Sequence, residues 1–88
     1  MYLHLGQETV VRADDILGIF DIETTSTGRI TRQFLAHAEQ ELRVTNVSNE
    51  LPKSFVVCTE PGGVRVYISQ ISSATLKKRI GFLDSVSL

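Results

Sequence analysis

Residues 54–68 read SFVVCTEPGGVRVYI, and this stretch decides the fold. Its first six residues are rich in β-branched and aromatic side chains, which is typical of a buried strand. Glu60–Gly63 predicts a turn, because proline fixes φ and glycine permits positive φ. The residues after the turn alternate, with valines and an isoleucine on one face and Arg65 and Tyr67 on the other. The stretch therefore predicts a hairpin of two strands.

Four further segments predict short strands. Two of them pair as a hairpin across the Gly6-Gln7 turn. A third is apolar and too short for a helix, and Gly18 within it disfavours one. The predicted strands outside residues 54–68 are residues 2–5, 9–11, 16–22 and 43–47.

Two segments carry the period of an amphipathic helix. From about Thr27 to Glu41, apolar side chains recur at spacings of three to five residues. The hydroxyl side chains that precede this segment are candidate N-caps. A second helix is predicted over Ala74–Ile80, with a serine cap before it and Gly81 as its stop.

The order of these elements is βββαβββα, which indicates an α+β fold. We expect a small, mostly antiparallel sheet with two helices on one face or at an edge. A chain of 88 residues is too short for two independent cores. We therefore expect a single domain over residues 1–82 and a C-terminal tail over residues 83–88.

Composition and charge narrow the class of protein. Nine Lys and Arg against ten Asp and Glu give a formal net charge of -1, which disfavours DNA binding by bulk charge alone. A local basic patch that is repeated around an oligomer remains able to bind DNA. The single cysteine, Cys58, forms no internal disulfide, and the chain shows neither a signal peptide nor a membrane-spanning apolar run. We expect a cytoplasmic protein.

The ionisable side chains form no recognisable catalytic or metal-binding pattern. His4, His37 and Cys58 fall in different elements, so a zinc site is not expected. Cys58 lies in an apolar strand, where cysteine behaves as a small hydrophobic residue. Asp14 and Asp15 are interpreted as a solvated turn. We expect no enzyme activity, no metal, no cofactor and no small-molecule substrate.

Basic side chains are the remaining candidates for a binding site. The run of residues 77–79 is the densest, and it is interpreted either as a solvated helix face or as a phosphate-contacting patch. The residues alone favour the solvated face, given the near-neutral net charge. Two arginines near the start of the first helix and a lysine at a loop tip are also accessible. The candidate phosphate contacts are Arg29, Arg32, Lys53, Lys77, Lys78 and Arg79.

Several segments occur in an order that resembles a known family. They are YLHLG at residues 2–6 with Val10-Val11, ILGIFD at residues 16–21, PKSFVV at residues 52–57, and ISSATLKKR at residues 71–79. In their order and spacing they resemble the RemB branch of the RemA/RemB family of extracellular-matrix (biofilm) regulators. The similarity extends over about residues 1–80.

The resemblance implies a regulatory protein of Gram-positive bacteria. RemA-type members activate extracellular-matrix and osmoprotection genes and bind DNA as ring-shaped homo-oligomers. A ring would repeat a weak DNA contact many times and would cover open strand edges. We therefore expect a ring-forming, DNA-binding transcriptional regulator of matrix genes. The alternative is a homo-oligomeric scaffold that binds a protein partner and no DNA.

The chain departs from the RemA-type pattern at two places where those members carry arginines. The turn before the third strand holds Asp14 and Asp15. The loop before residue 54 holds Glu50, Leu51 and Pro52, with only Lys53 basic. Carboxylates repel phosphate. The RemA-type contact surface therefore does not transfer, and DNA binding would rely on the six basic residues named above.

Overall fold

The computed structural model describes residues 1–25 and 28–86, with the side chains of residues 24–25, 30–31 and 82–86 left aside. The strands are β1 (Tyr2–Gly6), β2 (Thr9–Arg12), β3 (Ile16–Asp21), β4 (Val44–Asn46), β5 (Ser54–Glu60) and β6 (Gly63–Ser69). The helices are α1 (Ile22–Thr25), α2 (Arg29–Gln40) and α3 (Ser73–Val86), and a 3-10 turn over Ala13–Asp15 joins β2 to β3.

The strands form two sheets. β1 and β2 pair as a two-stranded hairpin, and the other four strands form a sheet in the order β3-β5-β6-β4. The β3–β5 and β5–β6 pairs are antiparallel, whereas β4 runs parallel to β6. The predicted α+β class and the order of elements are confirmed, with one parallel pair added to the mostly antiparallel sheet. That pair arises because α2 carries the chain back along the sheet before β4 begins, as a crossover connection does.

Both faces of the four-stranded sheet are buried. Val56 and Cys58 of β5 pack on one face, beneath the β1–β2 hairpin and Leu76 of α3. Phe55 and Val57 of β5 pack on the other face, beneath α2. This two-sided burial explains why β5 is a continuous apolar run instead of an alternating one. The two long helices therefore lie on opposite faces of the sheet and not on one face together.

The β5–β6 hairpin forms where residues 54–68 predict it. Glu60 lies opposite Gly63, and Gly62 adopts a φ of 90°, which favours glycine. Tyr67 packs towards the hairpin and α3, whereas the valines and Ile68 of β6 pack towards α2. The two predicted faces of this strand are thus confirmed.

Helix boundaries differ from the predictions at three points. The residue before α2 is Gly28, with no side-chain cap, and the predicted start at Thr27 lies outside the described residues. Ile22, assigned to a strand from the sequence, begins α1 instead. α3 continues through Gly81 to Val86, so the prediction that it stops at Gly81 is wrong. A glycine inside a helix costs only about 1 kcal/mol relative to alanine, which a helix packed on a core tolerates. The division at residue 82 stays a prediction.

A charged cluster ties the end of α2 and the start of β4 to the β5–β6 turn. Glu60 accepts from the Arg43 guanidinium at 3.0 Å and from Arg65 Nε at 2.7 Å. Arg43 also donates to the carbonyl oxygen of Gly62 at 3.1 Å. The hydrogen bond that Arg65 donates to Glu60 raises the pKa of the Arg65 guanidinium. Both arginines therefore serve the fold at this end of the sheet.

Candidate nucleic-acid interface

One end of the four-stranded sheet is the place where β3 ends, β5 begins and β6 ends. Asp21, the last residue of β3, lies opposite Ser54, and Ser54 in turn lies opposite Ser69. α1 follows β3 directly and α3 follows β6 after three residues, so both helices begin here. We call this the Lys53 end of the sheet, after the residue that precedes β5.

The backbone of Lys53 is fixed on both sides. Its N–H donates to the carbonyl oxygen of Ser69 at 2.8 Å, and its carbonyl oxygen accepts from the N–H of Ile22 at 3.1 Å. The Lys53 side chain is nevertheless exposed. A fixed backbone with a solvated ammonium group is well suited to meet an anion, because only the side chain has to be ordered on binding.

Arg29 and Arg32 lie in the first turn of α2, and both are exposed. Residues three apart are neighbours on a helix surface, so the two guanidinium groups share one side of α2. The far end of α2 meets Arg43, whose side chain is held by Glu60 at the opposite end of the sheet. α2 therefore starts at the Lys53 end, and its two arginines belong to that end.

The basic run of α3 lies in the second turn of that helix. Ser72 Oγ accepts from the N–H of Thr75 at 3.2 Å, which confirms the predicted serine cap. Lys77, Lys78 and Arg79 are all exposed, while Leu76 is fully buried beneath them. Arg79 donates to the carbonyl oxygen of His4 in β1 at 3.2 Å, so part of its hydrogen-bonding capacity is used within the fold.

The six basic residues approach the Lys53 end from two sides. Arg29 and Arg32 lie on the α2 face of the sheet, and residues 77–79 lie on the α3 face. Lys53 lies between them, at the end of the sheet itself. Six basic residues outnumber the four acidic residues placed at the same end, which are Asp21, Glu23, Glu50 and Glu8, the last in the β1–β2 turn beside Gln70. The structure thus gathers the basic residues at one end without placing them in one plane.

The acidic turn lies at the other end of the sheet. The carbonyl oxygen of Asp15 accepts from Thr59 Oγ1 at 3.4 Å, and Asp14 lies 3.9 Å from the Arg12 guanidinium. β5 separates Thr59 from Lys53 by about 17–20 Å, at ~3.3 Å per residue. The Debye length at physiological ionic strength is about 8 Å. Asp14 and Asp15 therefore do not cancel the charge at Lys53.

The residues considered for catalysis or metal binding have local roles. Cys58 is 3% exposed, and its burial, with a smaller contribution from Asp15, raises the pKa of its thiol to about 11. The thiol is therefore protonated at neutral pH and is a poor nucleophile. His4 Nε2 lies 2.6 Å from the carbonyl oxygen of Gln7, and His37 Nε2 lies 3.2 Å from Glu41. Across residues 1–25 and 28–86, no three His, Cys, Asp or Glu side chains converge on a metal site.

Sequence reasoning missed the charged cluster of Arg43, Glu60 and Arg65. Arg43 and Glu60 are 17 residues apart in the chain, and only the parallel pairing of β4 with β6 brings them together. No local sequence signal marks such a contact.

None of the helices in the described part of the chain has the length and apolar character that a membrane span requires.

Comparisons with known proteins identify the family of the chain. The family model described as "RemA-like: Extracellular matrix regulatory protein A-like" matches residues 2–80. The chain is 41% identical over 86 residues to "Extracellular matrix regulatory protein B" of Bacillus subtilis (strain 168), which covers 98% of each protein. The chain therefore belongs to the RemA-like family of extracellular matrix regulatory proteins.

Proposed function

We propose that this protein is a transcriptional regulator of extracellular-matrix (biofilm) genes that forms a ring of identical subunits and binds duplex DNA at the Lys53 end. The name of the Bacillus subtilis relative supports a role in matrix regulation. The observation that carries the DNA-binding part is the separation of charge along β5. Basic side chains gather at the Lys53 end, and the acidic turn lies about 17–20 Å away.

The recognition would rest on the DNA backbone. Lysine and arginine side chains neutralise phosphates and release counterions, which gives affinity with little dependence on sequence. A subunit with a net charge of -1 offers a weak contact by itself. Repetition around a ring raises the effective concentration of each further contact, so that the assembly binds more tightly than one subunit.

The positions of two loops along β5 indicate where a DNA-contacting surface of the RemA type would change in this chain. The two places where RemA-type members carry arginines correspond here to the Asp14–Asp15 turn and to the loop before β5. These places lie at opposite ends of β5. Only the second place keeps a basic residue, Lys53. Contacts with DNA would therefore shift towards the Lys53 end and its flanking helices.

The second candidate function is a homo-oligomeric scaffold that binds a protein partner and no DNA. Leu51 favours it, because this side chain is 80% exposed two residues before Lys53. An exposed leucine of this kind fits a protein partner better than a phosphate. The two candidate functions differ in one measurable property, because the regulator binds duplex DNA and the scaffold does not.

Fluorescence anisotropy of a labelled A·T-rich duplex, titrated with protein at low and near-physiological salt, tests the proposal. We expect binding that weakens steeply as salt rises, with a slope that gives the number of phosphates neutralised per assembly. No binding at low salt, by protein shown to be folded and oligomeric, would contradict DNA binding and favour the scaffold.

A further inference from the structure

The four-stranded sheet has two open edges. β3 and β4 are its outermost strands, and within the described residues no strand pairs with the outer side of either. The β1–β2 hairpin forms a separate sheet and covers a face instead of an edge. The backbone groups along an open edge remain available to pair with a further strand.

On β4, the outward-pointing backbone groups belong to Val44 and Asn46. The carbonyl oxygen of Arg43 and the N–H of Val47 both bond to β6, at 2.8 and 2.9 Å. In a parallel ladder, alternate residues bond the same neighbouring strand, so Thr45 also faces β6. The N–H and C=O groups of Val44 and Asn46 therefore point away from the sheet.

On β3, the corresponding residue is Ile19. Bonded and non-bonded pairs alternate along an antiparallel ladder. The N–H of Ile22 bonds to Lys53, and Phe20 lies opposite Phe55 two positions along, so Phe20 also faces β5. The N–H and C=O groups of Ile19 therefore point away from β5, whereas those of Gly18 and Phe20 point towards it.

Exposed apolar side chains mark both edges, and unfilled space borders β4. Leu17, at the irregular position of β3, is 62% exposed, and Leu42, just before β4, is 83% exposed. Two open depressions of about 390 and 470 Å³ border β4 and share Asn46. Glu50 lines the larger of them.

The occupant that fits both edges is a second copy of this chain. We propose, building on the ring of the proposed function, that β3 of one subunit adds in parallel to β4 of the next. β3 and β6 are both antiparallel to β5, and β4 is parallel to β6, so β3 and β4 run in the same direction. A rotated copy therefore presents β3 to β4 without being inverted.

The pairing has a definite register. Ile19 of one copy lies opposite Thr45 of the next, donating its N–H to Val44 and accepting from the N–H of Asn46. This register brings Leu17 within reach of Leu42. A subunit that joins through one edge still has its other edge open, so the same contact repeats until a ring closes.

Charge supports this arrangement on the α3 face. Arg79 leans over β1, where it bonds to His4. Successive helical residues are about 100° apart, so Lys77 projects from the opposite flank of α3, towards β3. The contact then places Lys77 on the side of the neighbouring copy that carries Glu50. Lys78 and Arg79 stay available to DNA.

Two variants, each blocking one edge, test the proposal by light scattering. Asn46→Pro removes the outward N–H of β4 and leaves the bonds of Arg43 and Val47 to β6 intact, and proline is tolerated on edge strands. Leu17→Lys places a charge on the β3 edge. We expect each variant alone to be monomeric where the parent is oligomeric. An equimolar mixture should form particles of two subunits, because each variant keeps the edge that the other lacks.

Val10→Lys is the matched control. Val10 is an exposed apolar residue on the outer face of the β1–β2 hairpin, away from both edges, and this variant should keep the parent's size. If circular dichroism shows that Asn46→Pro does not fold, Leu42→Asp takes its place, because aspartate tolerates the left-handed conformation that Leu42 adopts with a φ of 58°.

Each outcome separates this contact from the proposed function. Folded edge variants that keep the parent's size, or a mixture that stays monomeric, would overturn the edge contact and leave the proposed function standing. A parent that is itself monomeric at micromolar concentration would overturn both the contact and the ring.

Discussion

At the scale of single residues, Cys58 shows how burial decides chemistry. The thiol packs beneath the β1–β2 hairpin, and burial raises its pKa to about 11. The ordinary pKa of this thiol is 9.0, so at pH 8 the buried thiol is ionised about a hundredfold less. Iodoacetamide should therefore modify the folded protein at least about a hundredfold more slowly than the unfolded protein in urea. Equal rates in the two states would contradict the burial of Cys58.

The same pKa shift predicts how stability depends on pH. Between pH 9 and about 11 the unfolded chain loses the Cys58 proton and the folded chain keeps it. Ionisation then favours the unfolded state, so this contribution to stability is present below pH 9 and is lost as the pH rises to about 11. Urea unfolding of the parent and of Cys58→Ala over this range isolates the contribution, because Tyr67, whose pKa burial also raises, is common to both.

At the scale of secondary-structure elements, α3 differs most from the sequence prediction. Gly81 lies inside the helix, and a Cβ added there meets no atom within 4 Å. Gly81→Ala should therefore raise the free energy of unfolding by about 0.5–1 kcal/mol, because alanine is the better helix former. Gly62→Ala is the contrasting variant, since its φ of 90° strains any side chain. A loss of stability in Gly81→Ala would place the end of the helix at Gly81 after all.

Elements fixed by local sequence were predictable, and those fixed by distant partners were not. The β5–β6 hairpin follows from alternation and from Pro61-Gly62 in one short stretch. The parallel pairing of Val44 with Val66 depends on residues 22 positions apart, and no short window carries it. The accessibility of Lys53 was predictable from its polar loop. Predicting that Lys53 lies beside the starts of α1 and α3 requires the order of strands in the sheet, and no local sequence pattern gives that order.

At the scale of the whole molecule, the central feature is the distribution of charge along the sheet. The Arg43–Glu60–Arg65 cluster and the acidic turn occupy one end, and their charges are largely balanced there. The Lys53 end carries six other basic residues, one of which, Arg79, also bonds to His4 within the fold. A net charge of -1 is thus compatible with one basic end, and the proposed ring would present that end many times.

The most direct test of this account compares charge reversals at the two ends of the sheet by DNA anisotropy at several salt concentrations. Lys53→Glu and Lys78→Glu should each weaken binding by about tenfold or more. Each should also lower the slope of log affinity against log salt concentration by about one for every phosphate contact that the substitution removes. Arg12→Glu changes the net charge by the same amount beside the acidic turn, and it should leave the affinity within about twofold of the parent. If Lys53→Glu and Lys78→Glu bind as the parent does, or if all three variants weaken binding equally, the Lys53 end is not the DNA-binding surface.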